Sequence, residues 1–206
     1  MAFIDPVPDH EISDEVRAMY ERQATFWGFV PNYAKVFSWR PELMGLWAQL
    51  QVGIKRTMDK RRFELITFAA AHTLRSTLCS LAHGRALTQF FSPEDVQLMA
   101  RGASPASLST AEAAMMSFAR KVARGPYAVT AADVAELKKQ GFTDAEVFDI
   151  AAAVAARAFF SGLCESLGVE AEPSLLTMED GFKKAMTVGR PIGLKTNGGA
   201  STQPAA

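Results

Sequence analysis

Two four-residue stretches constrain this chain more than any others: Ser109-Thr-Ala-Glu112 and Thr143-Asp-Ala-Glu146. Each stands before a mostly apolar run, "AAMMSFARKVARG" in one case and "VFDIAAAVAARAFFSGLCESLG" in the other. A hydroxyl residue followed three positions later by Glu is a capping box. The hydroxyl accepts from the N–H of the Glu residue, and the Glu carboxylate accepts from the cap's own N–H. Helix starts are marked elsewhere too. Ser13 precedes "DEVRAMYERQATFW", Pro41 opens "ELMGLWAQLQVGI" and Asp59 precedes "KRRFELITFAAAH". Ser92-Pro-Glu-Asp95 opens "VQLMARG", and Thr130 precedes "AADVAELKKQG". Gly102, Gly125, Gly141 and Gly168 fall where these helices should stop. No run alternates Val, Ile or Thr with polar residues as a half-buried strand would. The chain therefore reads as all-α, with about eight helices.

The apolar patterning fits packed helices. Phe148, Ile150, Ala151, Val154 and Ala155 predict a long last helix buried on most sides. That helix and the segment from Arg61 to Leu87 are expected at the centre. No linker divides residues 10–170, so 1–175 reads as one domain and 176–206 as a C-terminal extension. The low-complexity end, "TNGGASTQPAA" from Thr196, is expected to be mobile.

Composition excludes several partners. Lys plus Arg and Asp plus Glu number 22 each, so the formal net charge is zero. Nothing in that balance favours a nucleic acid or an anionic membrane. The N-terminal "MAFIDPVPDHEISDE" has no basic and apolar leader pattern. The apolar run "IAAAVAA" from Ile150 is interrupted by Arg157 and is short for a membrane span. Two cysteines do not make a disulfide framework. A cytoplasmic protein with reduced thiols is expected. A neutral, Ala-rich chain with 49% hydrophobic residues also suits self-association. No nucleotide, flavin or haem motif is present, so no cofactor is expected.

The chemistry gathers in "RRFELITFAAAHTLRSTLCSLAHGRAL", Arg61 to Leu87. Glu64 shares an otherwise apolar face with Leu65, Phe68 and Ala71, where a carboxylate is costly unless paired. "HTLRST" is a run of weak helix formers, and Ser76 is a good N-cap. The spacing predicts two helices, about Asp59–Leu74 and Thr77–Phe90. Cys79 then sits in the first turn of the second helix, where unpaired N–H groups favour a thiolate. His83 follows at i+4 on the same face. Imidazole can take the thiol proton, and Glu64 can orient the imidazole. A second reading stands beside this one: Cys79 as a small core hydrophobe and His83 as a satisfied core histidine. In an unbroken helix His72, Ser76, Cys79 and His83 would line one face. Zinc has too few well-placed ligands here. Arg61, Arg62, Arg75 and Arg85 flank the segment and could hold a carboxylate, or could form a solvated face. Trp27, Trp39 and Trp47 read as core or interface anchors.

The segment resembles the signature of the carboxymuconolactone decarboxylase and AhpD-like alkylhydroperoxidase superfamily, a Glu upstream of C-x-x-C-x-x-x-H. Glu64 matches the Glu, Cys79 the second Cys and His83 the His, while Ser76 stands at the first Cys. "GFVPNYAKVFSWRPEL" from Gly28 and the stretch from Ser109 to Glu170, with its "GFTDAEVFDI", resemble the "peroxidase-related" branch. The resemblance covers roughly residues 5–175. It implies an all-helical fold in dimers, trimers or hexamers. It also implies thiol peroxidase chemistry in which the Cys nearer the His attacks the peroxide, His and Glu relay a proton, and the other Cys resolves the sulfenic acid. Ser76 cannot form a disulfide. It is left as an N-cap or as a hydrogen-bond donor to substrate. Resolution then falls to Cys164, a partner subunit's thiol or a small thiol. The decarboxylase side of the superfamily implies the alternative, a lyase acting on a small carboxylated substrate. A chain that keeps the fold as a non-catalytic oligomer is the third reading.

Overall fold

The structure is a computed structural model and describes residues 2–192. The segment from Thr196, expected to be mobile, lies outside the described residues. Among the described residues there are ten α-helices and no strand. They are α1 (Asp14–Trp27), α2 (Asn32–Val36), α3 (Pro41–Lys55), α4 (Lys60–Thr73), α5 (Thr77–Leu87), α6 (Pro93–Ala100), α7 (Thr110–Arg124), α8 (Ala131–Lys139), α9 (Asp144–Ser166) and α10 (Asp180–Met186). Eight of them start where the sequence marks a start. The two extra helices are short. α2 follows Pro31 and has no side-chain cap, and α10 is capped by Glu179, outside the usual set of capping residues.

Both expected capping boxes form. Ser109 Oγ accepts from Glu112 N at 3.2 Å, and Ser109 N donates to Glu112 Oε2 at 2.9 Å. Thr143 and Glu146 repeat this at 3.2 Å and 2.8 Å. The two Glu caps are also tied to α4. Arg61 reaches Glu112 at 2.6 Å, and Arg62 reaches Glu146 at 2.8 Å. The N-termini of α7 and α9 are thereby pinned to the start of α4.

α4 is the axis of the fold. Every residue from Phe63 to Ala71 is buried, and α5, α7 and α9 pack around it. Ala69, Ala70 and Ala71 carry only a methyl group, so neighbouring backbones come close. Phe68 is fully buried, and a side chain of that size contributes about 1.5–3 kcal/mol by leaving water.

α9 corrects the sequence reading. It is not buried on most sides. Ile150, Ala153, Val154, Arg157, Phe160, Ser161 and Cys164 form one inward stripe at helical spacing. Phe148 on the other side is 70% exposed. By length and composition α9 is long and apolar enough to cross a membrane. Its inward stripe faces α3, α4, α7 and α8, as in the core helix of a folded domain. Trp47 is buried, while Trp27 and Trp39 stay about half exposed.

The chain after α9 returns over α5. α10 packs on α5 and α6, and a Cβ at Gly84 would meet Met186 Sδ at 2.5 Å. Val188 and Gly189 then donate their N–H groups to Thr77 Oγ1 at 3.3 Å and 3.0 Å. A Cβ at Gly189 would lie 1.8 Å from Arg75 O, so only glycine allows this close pass.

Candidate active site

The break between α4 and α5 sets the site. Leu74 ends α4, and Arg75 takes φ 58°, a left-handed conformation that is unusual for a side chain larger than Gly. Ser76 is extended, at φ −89° and ψ 102°, and its Oγ accepts from Cys79 N at 3.5 Å. Ser76 thus acts as the N-cap, and Cys79 is the third residue of α5. The expected split into two helices is present. His72 therefore does not join a continuous polar face. Its Nε2 lies 3.3 Å from Ala185 O, and its ring packs on Phe68.

Glu64 projects from α4 and His83 from the second turn of α5. His83 Nδ1 is 2.7 Å from Glu64 Oε2 and 3.2 Å from Thr67 Oγ1. The Thr67 hydroxyl donates to Phe63 O at 2.7 Å, so toward His83 it can only accept. This assigns the proton to Nδ1, shared between Glu64 and Thr67, and leaves the lone pair on Nε2. Burial pushes His83 below its ordinary value, and the Arg157 charge pushes the same way, against the pull of Glu64. Burial opposes ionisation of Glu64 as well, yet the His83 hydrogen bond and the charges of Lys55 and Arg157 hold it below the usual carboxylate range. The pair is best described as a carboxylate anchoring a neutral imidazole, the form in which histidine accepts a proton.

Cys79 is buried, and the hydrogen-bonding neighbour of its sulfur comes from outside the motif. Arg157 Nη1 on α9 lies 3.6 Å from Cys79 Sγ. The guanidinium is itself buried and stacks near Trp47 and Phe160, at 5.6 Å and 5.5 Å from their ring centres. Among the described residues Arg157 forms no ion pair with a carboxylate. Its Nε and Ser161 Oγ, one turn further along α9, are buried without a hydrogen-bond partner. The sequence signal was available, because Arg157 is the lone charge in "IAAAVAARAFF" and falls in register with the apolar stripe.

The four flanking arginines behave differently. Arg61 and Arg62 are held by Glu112 and Glu146, Arg75 Nε donates to Val188 O at 3.0 Å, and Arg85 is exposed. Cys164 is buried on the stripe that bears Arg157. Burial drives its thiol far above the ordinary range, and the neighbouring Cys79 adds to that. Among the described residues no three His, Cys, Asp or Glu side chains converge on a metal position.

No protein-family model matches the chain, and no curated protein matches it. Solved structures do. One is the alkylhydroperoxidase AhpD core of an uncharacterized peroxidase-related protein from Ralstonia eutropha, with a TM-score of 0.75 at 24% identity, covering 92% of this chain and 98% of that one. Another is an uncharacterized peroxidase-related protein from a Silicibacter species, with a TM-score of 0.72 at 22% identity, covering 86% and 95%. A third is the debrominase Bmp8, as a cysteine-to-alanine variant in complex with 2,3,4-tribromopyrrole, with a TM-score of 0.70 at 14% identity, covering 88% and 96%. The chain has the AhpD-like all-α fold.

Proposed function

We propose that this AhpD-like chain is a thiol-dependent alkyl hydroperoxidase-type oxidoreductase that works with one cysteine at its site. The observation that carries the reading is the Glu64–His83 contact of 2.7 Å, made one helical turn from a cysteine at a helix N-terminus. Cys79 gives its proton to His83 Nε2. The sulfur attacks the terminal oxygen of a hydroperoxide, an S–O bond forms and the O–O bond breaks. Sulfur loses two electrons and the peroxide gains them. The departing alkoxide takes the proton back from His83, leaving a sulfenic acid and an alcohol. Glu64 holds the imidazole in the tautomer this needs. Ser76 serves as the cap that keeps Cys79 in the first turn.

Turnover is the slow part, since Ser76 cannot resolve the sulfenic acid. Two equivalents of an external thiol would return it to Cys79, release water and leave as a disulfide. Cys164 is a poor resolving group, because the same burial that raises it withholds the thiolate. The working unit in this proposal is 1–175, assembled as a homo-oligomer in the cytoplasm, with 176–206 a C-terminal extension whose α10 packs on α5 and α6.

A lyase acting on a small carboxylated substrate is less well supported. The four arginines that flank the motif are committed elsewhere or exposed, so a carboxylate at the site would rely on Arg157 alone. Bmp8, described as a debrominase, has the same fold, so the fold alone does not choose the electrophile. The deciding experiment adds one equivalent of organic hydroperoxide to reduced protein and takes an intact mass with a dimedone trap. A dimedone adduct at Cys79, lost in His83→Ala, is the expected result. An unreacted Cys79 overturns the proposal.

A further inference from the structure

Among the described residues Arg157 is a buried charge with no carboxylate in ion-pair contact, although its field reaches Glu64. It is 6% exposed, and one of its N–H groups faces Cys79 Sγ at 3.6 Å. A buried cation with no carboxylate partner is costly, and a buried donor with no acceptor adds to that cost. The fold keeps two such donors side by side. Arg157 Nε has no partner, and neither has Ser161 Oγ, whose residue is 1% exposed. They are four positions apart on α9 and so share a face. The buried guanidinium packs against Trp47 and Phe160, whose rings stack on each other at 5.0 Å. It is therefore held in place before any ligand arrives, which is the condition for stabilising charge without reorganisation.

We propose that Arg157 and Ser161 form an oxygen-anion subsite beside Cys79. It receives the oxygen released when the hydroperoxide is cleaved. The reaction step is the one given above, on which this inference rests. As the O–O bond breaks, the alkoxide oxygen gains negative charge and accepts from Arg157 Nε and Ser161 Oγ. His83 then returns the thiol proton to it, and the alcohol leaves. Arg157 is thus a catalytic residue through contact with the reacting sulfur and the leaving oxygen. Charge-assisted donors at such a position are the stronger kind of hydrogen bond.

The test compares reactions at Cys79 in the full chain, with Cys164→Ser throughout so that one thiol is read. Oxidation by tert-butyl hydroperoxide releases an oxygen anion. Alkylation by iodoacetamide releases iodide, which needs no hydrogen-bond donor. Ser161→Ala is expected to slow oxidation by about 10²-fold and to leave alkylation unchanged. Arg157→Gln is expected to slow both, oxidation by at least that factor more than alkylation. Arg157→Lys keeps the charge without the planar fork, and it covers the case in which Arg157→Gln does not fold. Its oxidation rate should fall between the two. Equal slowing of both reactions in the arginine variants, with Ser161→Ala unchanged, overturns the subsite. A second readout does not depend on peroxide chemistry. Acetate should protect Cys79 from alkylation in the parent protein, and lose that effect in Arg157→Gln and Ser161→Ala. If hydroperoxide leaves Cys79 intact but acetate protects through Arg157, the subsite stands and the hydroperoxidase proposal falls. If acetate does not protect, or protects the variants equally, the subsite falls.

Discussion

His83 Nδ1 and Glu64 Oε2 lie 2.7 Å apart, joined across the break between α4 and α5. The bond links the base to the helix that forms the core, so the imidazole is oriented by the most buried part of the fold. Substituting the two partners should differ in what it does to stability. Glu64→Gln keeps the shape and removes the charge. It should leave the helices intact and slow dimedone-trapped oxidation of Cys79 by about 10²-fold or more. His83→Ala leaves a buried carboxylate without its partner. It should cost roughly 1–3 kcal/mol in urea denaturation as well as abolishing the reaction.

Acid should weaken the fold through the same pair. The ordinary value for His83 is 6.5, and burial first, then Arg157, hold it lower when folded. Below that value the unfolded chain takes up a proton that the folded chain refuses. The contribution is present above the unfolded value and is lost as pH falls toward the folded one. Glu64 is also held below its ordinary 4.5, so its contribution is present above that value and lost as pH falls through the folded one. Both act in one direction. The urea midpoint should drop on acidification below about pH 6.5, with a shallower drop in His83→Gln. His72, held low by burial, should retain part of the slope in that variant. An unchanged slope in His83→Gln would contradict the assignment.

Much of this site was legible because its signals are local. A capping box, and a serine three positions before the Cys79 amide, act within a single turn. The sequence needs no knowledge of the rest of the chain to specify them. The contact of Glu64 with His83 was legible because a carboxylate on an apolar face demands a partner. Arg157 was missed for the opposite reason. Its neighbour Cys79 is 78 positions away, so only the packing of α5 and α9 on α4 brings them together. Reading for a cation near the motif selects Arg61, Arg62, Arg75 and Arg85 instead. In the fold Arg61 and Arg62 bind the capping-box glutamates, Arg75 bonds Val188 O and Arg85 is exposed. Phe148 reads as core because it is large and apolar, yet it lies off the stripe defined by Ile150, Val154 and Arg157. α10 was invisible because its seven residues carry too little apolar period, and its place is set by Gly84 and Thr77.

Cys79 and Cys164 are both buried, but only one has a route to reactivity. Cys164 is held as a neutral thiol by burial, near the end of a long helix whose field there favours cations. Cys79 has a helix N-terminus, Arg157 and His83 beside it. With the native chain in excess reagent, alkylation at neutral pH should modify Cys79 first. Mass mapping should find Cys164 unmodified until denaturant is added. Equal labelling of both thiols would count against the site.

Self-association should involve α3. Leu46 and Leu50 are 60% and 49% exposed one turn apart, on the helix whose Trp47 packs against the half-exposed Phe159 of α9. Exposed apolar groups clustered in this way mark contact surfaces. Sedimentation at micromolar concentration should show species larger than the 22.4 kDa chain, and Leu50→Glu should shift them toward it. A parent protein that sediments only at the chain mass removes this expectation.

Ser76 offers the sharpest change. It is fully buried, accepts from Cys79 N at 3.5 Å, and stands three residues before the reactive sulfur. Ser76→Cys exchanges the capping oxygen for a sulfur, a weaker acceptor, and should cost about 0.5–2 kcal/mol through the lost cap. It also supplies the missing dithiol within one turn. With hydroperoxide the variant should pass through the sulfenic acid to an intramolecular disulfide, two mass units below the reduced protein by the loss of two hydrogens. Dimedone should then trap little. A dithiol reductant should sustain many turnovers, while the parent protein stops after about one without a small thiol. If Ser76→Cys folds and forms the disulfide but gains no peroxidase turnover, Cys79 is not placed for peroxide attack. A small carboxylated substrate then becomes the better candidate for this site.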